Sequence, residues 1–200
     1  MRELALHLLD ITENGVTAGA SLIVITVEED LLNDRLKIVV EDDGRGMDEQ
    51  LLARITDPFV TSRTTRKVGL GLPLLKAAAE ACQGQLLITS KPGQGTRLEV
   101  EFQRSHIDRM PLGDLVETWL ILIVGFPKVH WVFHYQAKIQ TGQADVQFTF
   151  DDEPIKRELE EVPLTEPSIL AFLRELLEEG VRRVQHAITQ SEVNPLILPN

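Results

Sequence analysis

Cysteine is all but missing from this chain. Cys82 is the single one in 200 residues, so no disulfide can form within the chain, which fits a reducing compartment. Positive charge is also short: 20 Lys and Arg stand against 31 Asp and Glu, a net charge of −11. So acidic a balance excludes broad electrostatic binding to nucleic acid or to an anionic membrane, which calls for a basic face. Long apolar runs are absent too. The longest, around residues 119–126, falls far short of the ~20 residues that span a bilayer. Charges interrupt Met1-Arg-Glu-Leu-Ala-Leu-His7 too early for the apolar centre of a signal peptide, so a cytoplasmic protein is expected. Repeats and low-complexity tracts are lacking. What is present, 43% hydrophobic and 26% charged residues, is the composition of a globular protein. At this length roughly 70% of the unfolded surface can be buried, enough for a core without metal or disulfide. One domain, or one domain with a sizeable extension, follows.

The pattern along the chain predicts a helix over residues 2–18, closed by the glycine of Ala18-Gly19-Ala20. Strands are expected over 21–28 and 35–41, across a Leu32-Asn33-Asp34 turn. Asp48 can cap a short helix to Arg54, which Asp57-Pro58 interrupts. Alanines and leucines predict a helix over 73–82 with Gly84 as its stop, then a hairpin of 85–90 with 96–102. After Arg104 the character changes. Residues 112–124 read as a buried helix. Residues 129–140 alternate, with Val129, Trp131, Phe133, Tyr135, Ala137 and Ile139 on one face, and 145–150 repeat the pattern. Thr141-Gly142 is the turn between them. A last amphipathic helix over 168–188 carries Ile169, Leu173, Leu176 and Leu177 on one stripe.

Three segments carry chemistry. At 100° per residue Glu3, His7, Asp10, Asn14 and Thr17 fall on one line of the first helix, and Glu13 points elsewhere. A solvated surface face explains that stripe; so does an acid and a metal ligand held one turn apart at a common site. Asp42-Asp-Gly44-Arg-Gly46 closes the second strand. Its glycines let backbone approach a flat ligand, and a strand-end aspartate can accept from an amino group, although an ordinary turn reads the same way. Thr61-Ser-Arg-Thr-Thr-Arg-Lys67 is a local basic patch that runs into Val68-Gly69-Leu70-Gly71-Leu72 and a helix start. Free N–H groups and a positive dipole end suit phosphate there; the plain alternative is a mobile, soluble loop. His130 and His134 share a strand face roughly 13 Å apart, too far for one metal. Cys82, Trp119 and Trp131 read as core, and His7 as a neighbour of the site or a solvent-facing residue.

In this order the segments resemble the GHKL superfamily of gyrase-type ATPases, heat-shock chaperones, histidine kinases and mismatch-repair ATPases. Asp10-Ile-Thr-Glu-Asn14-Gly-Val-Thr-Ala-Gly-Ala20 is similar to the N box, Asp42-x-Gly44-x-Gly46 to G1 and Asp57-Pro-Phe59 to the F box. Gly69-Leu-Gly71-Leu is similar to G2, and Gly93-Gln-Gly95-Thr96 to G3. The likeness spans residues 1–103. It implies an α+β fold of Bergerat type, helices layered on a mixed sheet with ATP between them, followed by an α+β extension over 104–200 that either stands apart or packs with the first part. By the same resemblance Asn14 carries Mg²⁺, and Asp42 with Thr96 reads adenine. Gly44, Gly46 and Met47 line the base; Lys67 and Gly69, Leu70 and Gly71 hold phosphates under a mobile lid. Asp10 stands at the position of the catalytic base, where many members have glutamate. The likeness is to stand-alone members such as anti-sigma serine kinases, with a regulatory protein or protein substrate as partner and a homodimer as a further option. Three readings remain open: a Mg²⁺-ATP-dependent ATPase or kinase-like phosphotransferase, an ATP-responsive binding module, and a scaffold with a disused pocket.

Overall fold

The computed structural model describes residues 3–55, 71–139, 145–160 and 162–193. Among them run α1 (Leu4–Thr17), β1 (Leu22–Asp30), β2 (Arg35–Asp42), α2 (Glu49–Ile55), α3 (Gly71–Ala81), β3 (Gln85–Lys91), β4 (Gly95–Gln103), α4 (Leu115–Gly125), β5 (His130–Lys138), β6 (Val146–Asp151), α5 (Glu153–Leu159) and α6 (Pro167–Val193). The strands form one mixed sheet in the order β3-β4-β2-β1-β5-β6. Only the β1–β5 pair is parallel, with Ile25 opposite Phe133 and Val27 opposite Tyr135. The architecture is α+β, as expected.

Alternation decides which face is covered. Ile23, Ile25 and Val27 of β1 share a face with Ile38 and Val40, Leu98 and Val100, and Trp131, Phe133 and Tyr135 of their neighbours. All ten are at most 3% exposed. α1, α3, α4 and α6 lie against that face. Trp119 of α4 stacks on Phe133, with ring centroids 4.8 Å apart. The alternating face of β5 is therefore covered by the chain's own helices and is not open to a second copy.

The extension completes the first half in two further ways. Glu3 at the head of α1 makes no side-chain cap, and the N–H groups of Leu4 and Ala5 donate instead to the carbonyls of Pro111 and Leu112, at 3.0 and 2.9 Å. Glu29 accepts from the Tyr135 hydroxyl at 2.7 Å and from Arg104 Nε at 2.7 Å, and Arg104 also reaches Glu192 of α6. Burial and the adjoining Glu29 push the Tyr135 hydroxyl pKa up, so the phenol stays protonated and donates.

Several sequence expectations shift. The buried helix begins at Leu115 rather than 112, because Asp114 caps it by accepting from the Glu117 N–H. Gly84 does not close α3 in the left-handed conformation; Gln83 does, at φ 56°. Gly84 is glycine because a Cβ there would lie 1.8 Å from the Glu101 carbonyl oxygen. α5 has no counterpart in the sequence reading. The last helix is longer than 168–188 and ends at Val193. The Thr141-Gly142 turn lies outside the described residues, and no described helix is long and apolar enough to cross a membrane.

Candidate functional site

α1 carries its stripe from the interior to the surface. His7 is 4% exposed, and among the described residues its Nδ1 has no hydrogen-bond partner. Burial holds its pKa below the ordinary value, so the ring is neutral at pH 7. The solvent-facing option for His7 is thereby corrected: this part of the stripe points into the packing between helices. Asp10 is half-buried, and Asn14 and Glu13 are exposed. Asn14 donates its Nδ2 to the Asp10 carbonyl at 2.8 Å, which leaves Oδ1 as the atom it can offer a cation. The Asp10 carboxylate lies against the first residue of α3: a Cβ on Gly71 would fall 1.9 Å from Asp10 Oδ2. Glycine at 71 is what lets the N-terminus of α3 and this carboxylate meet.

The two adjacent aspartates at the end of β2 have opposite environments. Asp43 accepts from the N–H groups of Ser21 and Leu22, at 2.7 and 2.9 Å, and so anchors the start of β1. Burial works against its ionisation, but those hydrogen bonds outweigh it and hold its pKa below the ordinary value. Asp42 sits under α1, where burial raises its pKa despite hydrogen bonds from the Gly44 and Thr96 backbone N–H groups. A Cβ on Gly15 of α1 would stand 3.3 Å from the Asp42 Cβ, so a glycine in mid-helix lets the helix close over the strand end.

Asp42 pairs in register with Thr96 of β4, and Thr96 with Ser90 of β3. Ser90 Oγ joins the loops on either side. It accepts from the Met47 N–H at 2.8 Å, donates to the Gly95 carbonyl at 2.9 Å, and lies 3.0 Å from Thr96 Oγ1. The Gly93 N–H donates to the Arg45 carbonyl at 2.7 Å. Gly46, at φ 64°, packs so closely on this hairpin that a Cβ would lie 2.0 Å from the Lys91 carbonyl oxygen. Its glycine requirement comes from the hairpin. A Cβ on Gly44 would crowd Asp42 Oδ1 at 2.9 Å. An open cleft of about 260 Å³ at this end of the sheet is lined by Glu41, Asp42, Thr89, Ser90, Lys91, Gln94, Gly95, Thr96 and Arg97, and strand alternation turns Glu41, Thr89, Lys91 and Arg97 to the face opposite Asp42, Ser90 and Thr96.

The structure thus brings Asp42, Gly44, Gly46, Met47 and Thr96 together at one strand end, and Asp10, Asn14 and Gly71 along α1. Lys67, Gly69, Leu70, Asp57-Pro-Phe59 and the basic loop over 61–67 lie outside the described residues. Sequence reasoning missed Gly15 and Ser90. A glycine inside a helical pattern was a signal for the first; nothing local distinguished the second. Elsewhere, His130 bonds Asp151 and His134 bonds Thr149, so the two histidines share no site. Cys82 is buried, and burial raises its thiol pKa, which leaves it an inert packing residue.

Residues 2–106 match the family model described as histidine kinase-, DNA gyrase B-, and HSP90-like ATPase. Among curated proteins, the non-motile and phage-resistance protein of Caulobacter vibrioides is 32% identical over 118 residues, covering 54% of this chain and 14% of that protein. The cell-division control histidine kinase PdhS of Brucella abortus is 33% identical over 120 residues, covering 54% of this chain and 11% of that protein. The chain therefore spans about a seventh or less of the length of these relatives. Among solved structures, full-length ShkA in complex with AMPPNP is 28% identical, with a TM-score of 0.40 over 48% of this chain and 20% of that one. The N-terminal domain of a DNA repair protein is 12% identical, with a TM-score of 0.47 over 72% and 51%.

Proposed function

The chain belongs to the histidine kinase-, DNA gyrase B- and HSP90-like ATPase family, and from that membership we propose that it binds Mg²⁺-ATP and transfers the γ-phosphate to water or to a serine or histidine of a protein partner. The observation that carries this reading is the meeting of Asp10 with the head of α3, one helical turn from Asn14. Helix N-termini favour phosphate, so a γ-phosphate at Gly71 stands next to a carboxylate able to act as base. Asp10 accepts the nucleophile's proton as the new bond to phosphorus forms, P–O for water or serine and P–N for histidine, and the bond to the ADP oxygen breaks. Asn14 offers Oδ1 to Mg²⁺, and that cation neutralises phosphate charge when bound. At the other end Asp42 accepts from the adenine amino group. Gly69, Leu70 and Lys67 complete the phosphate side in this reading.

Asp10→Asn and Glu13→Gln test it, with γ-labelled ATP followed into phosphate and phosphoprotein. Asp10→Asn keeps size and removes the base, so turnover falls by ~10²–10⁴ with ATP affinity nearly unchanged. Glu13→Gln, on the exposed side of α1, leaves turnover intact. Full turnover in Asp10→Asn would overturn the assignment. Binding without turnover in the unsubstituted protein, with any partner supplied, would favour the ATP-responsive binding module.

A further inference from the structure

The hydroxyl of Ser90 can be followed proton by proton. It has one hydrogen and two acceptor lone pairs. The Met47 N–H occupies one lone pair, and the Gly95 carbonyl, which can only accept, takes the hydrogen. The remaining neighbour, Thr96 Oγ1 at 3.0 Å, must then donate its own hydrogen to the second lone pair of Ser90. Thr96 is left without a proton for a ligand and presents lone pairs only. Directly across the β2–β4 pair stands Asp42, an acceptor when ionised, with the Gly44 and Thr96 backbone N–H groups on its carboxylate and lone pairs to spare.

We propose that Ser90 fixes the hydrogen-bond polarity of Thr96 and thereby makes this strand end select a 6-aminopurine over a 6-oxopurine. The inference rests on the reading that this strand end takes the base of a nucleotide, and it deepens that reading. Two acceptors side by side match the two N–H donors of an exocyclic amino group. A 6-oxo carbonyl in the same place meets lone pairs with lone pairs. A Thr96 hydroxyl free to rotate could donate to that carbonyl and blur the distinction; Ser90 removes that freedom. Ser90 is a positioning residue, acting through Thr96.

Calorimetric titration of the full chain with ATP and with inosine triphosphate, identical in sugar and phosphates, tests this. The readout is the ratio of the two dissociation constants. The unsubstituted protein favours ATP, and Ser90→Ala lowers the ratio about tenfold, the worth of one hydrogen bond gained or lost. Any loosening of the loop from the orphaned Met47 N–H weakens both nucleotides alike and leaves the ratio in place. Ser90→Thr, which keeps the hydroxyl, retains the original ratio. Thr96→Val, nearly isosteric, lowers it independently of any change at Ser90, and adding Ser90→Ala to Thr96→Val changes it no further. An unchanged ratio in Ser90→Ala or in Thr96→Val overturns the proposal, as does a Ser90→Ala effect that persists without the Thr96 hydroxyl. Absence of binding by both nucleotides to the unsubstituted protein overturns the nucleotide reading itself, a separate result.

Discussion

In the proposed nucleotide site, Asp42 sets ligand binding against stability in one side chain. Burial raises its pKa, so the folded state binds its proton more tightly than the unfolded chain does. Stability from this group is therefore greatest at low pH and declines as pH rises from the ordinary carboxylate value through the raised one. At pH 7 the ionised form is a cost to the fold. Asp42→Asn keeps an acceptor for the Gly44 N–H and removes the buried charge, so without nucleotide its Tm should equal or exceed that of the unsubstituted protein. ATP binding should weaken by about 10- to 150-fold, the ~1.5–3 kcal/mol of a charge-assisted hydrogen bond. Thermal melts and titration calorimetry read the two effects separately. A lower Tm with intact binding would mean that Asp42 serves the fold and not the ligand.

At the scale of elements, close approach of helix to sheet depends on glycine more than the apolar stripes alone indicate. Gly180 lies in the middle of α6, where glycine costs ~1 kcal/mol of helix propensity relative to alanine. A Cβ there would fall 2.2 Å from the ring of Phe148 in β6. Gly180→Ala gains propensity but forces the helix off the strand, and it should lower stability by ~1–3 kcal/mol in a thermal or denaturant melt. Gly125→Ala is the control. It sits at the end of α4 with nothing within 4 Å of the new methyl, so it should be neutral or stabilising by up to ~1 kcal/mol. Gly15 over Asp42 and Gly71 beside Asp10 follow the same logic at the site.

The whole molecule is tied together by one sheet, and its tryptophans make that testable. Trp119 and Trp131 are the only two, and both lie beyond residue 104, whereas the candidate nucleotide site lies before it. β5 pairs with β1 along nine residues, and the Glu29–Tyr135–Arg104 cluster crosses the same junction. A nucleotide bound near Asp42 should therefore stabilise the tryptophan environment. With a Kd on the order of 0.1 mM, 1 mM ATP contributes RT ln 11, about 1.4 kcal/mol, or ~3–6 °C in Tm for a chain of this size. Tryptophan fluorescence and far-ultraviolet circular dichroism should report the same shift. A tryptophan melt indifferent to ATP, beside a dichroism melt that moves, would mean that the two halves unfold independently.

The sequence by itself determined what depends on near neighbours. Period-two alternation gave β5 and β6 and their buried face, helical spacing gave α1 and put Asp10 and Asn14 on one side of it, and the order of the glycine motifs carried the family resemblance. These are legible because each rests on backbone geometry repeated within a few residues. The tertiary structure decided what depends on register between distant segments. α5 escaped notice because its seven residues, none buried, carry no apolar period. The left-handed Gln83 replaced the expected Gly84 because Gly84 is needed against the Glu101 carbonyl, seventeen positions away. The parallel pairing of β1 with β5 joins strands about a hundred residues apart, and no local pattern encodes which edge a strand will find. Ser90 acquires its three partners only when β2, β3 and β4 lie in register, so a serine that reads as an ordinary strand residue becomes the joint between two loops.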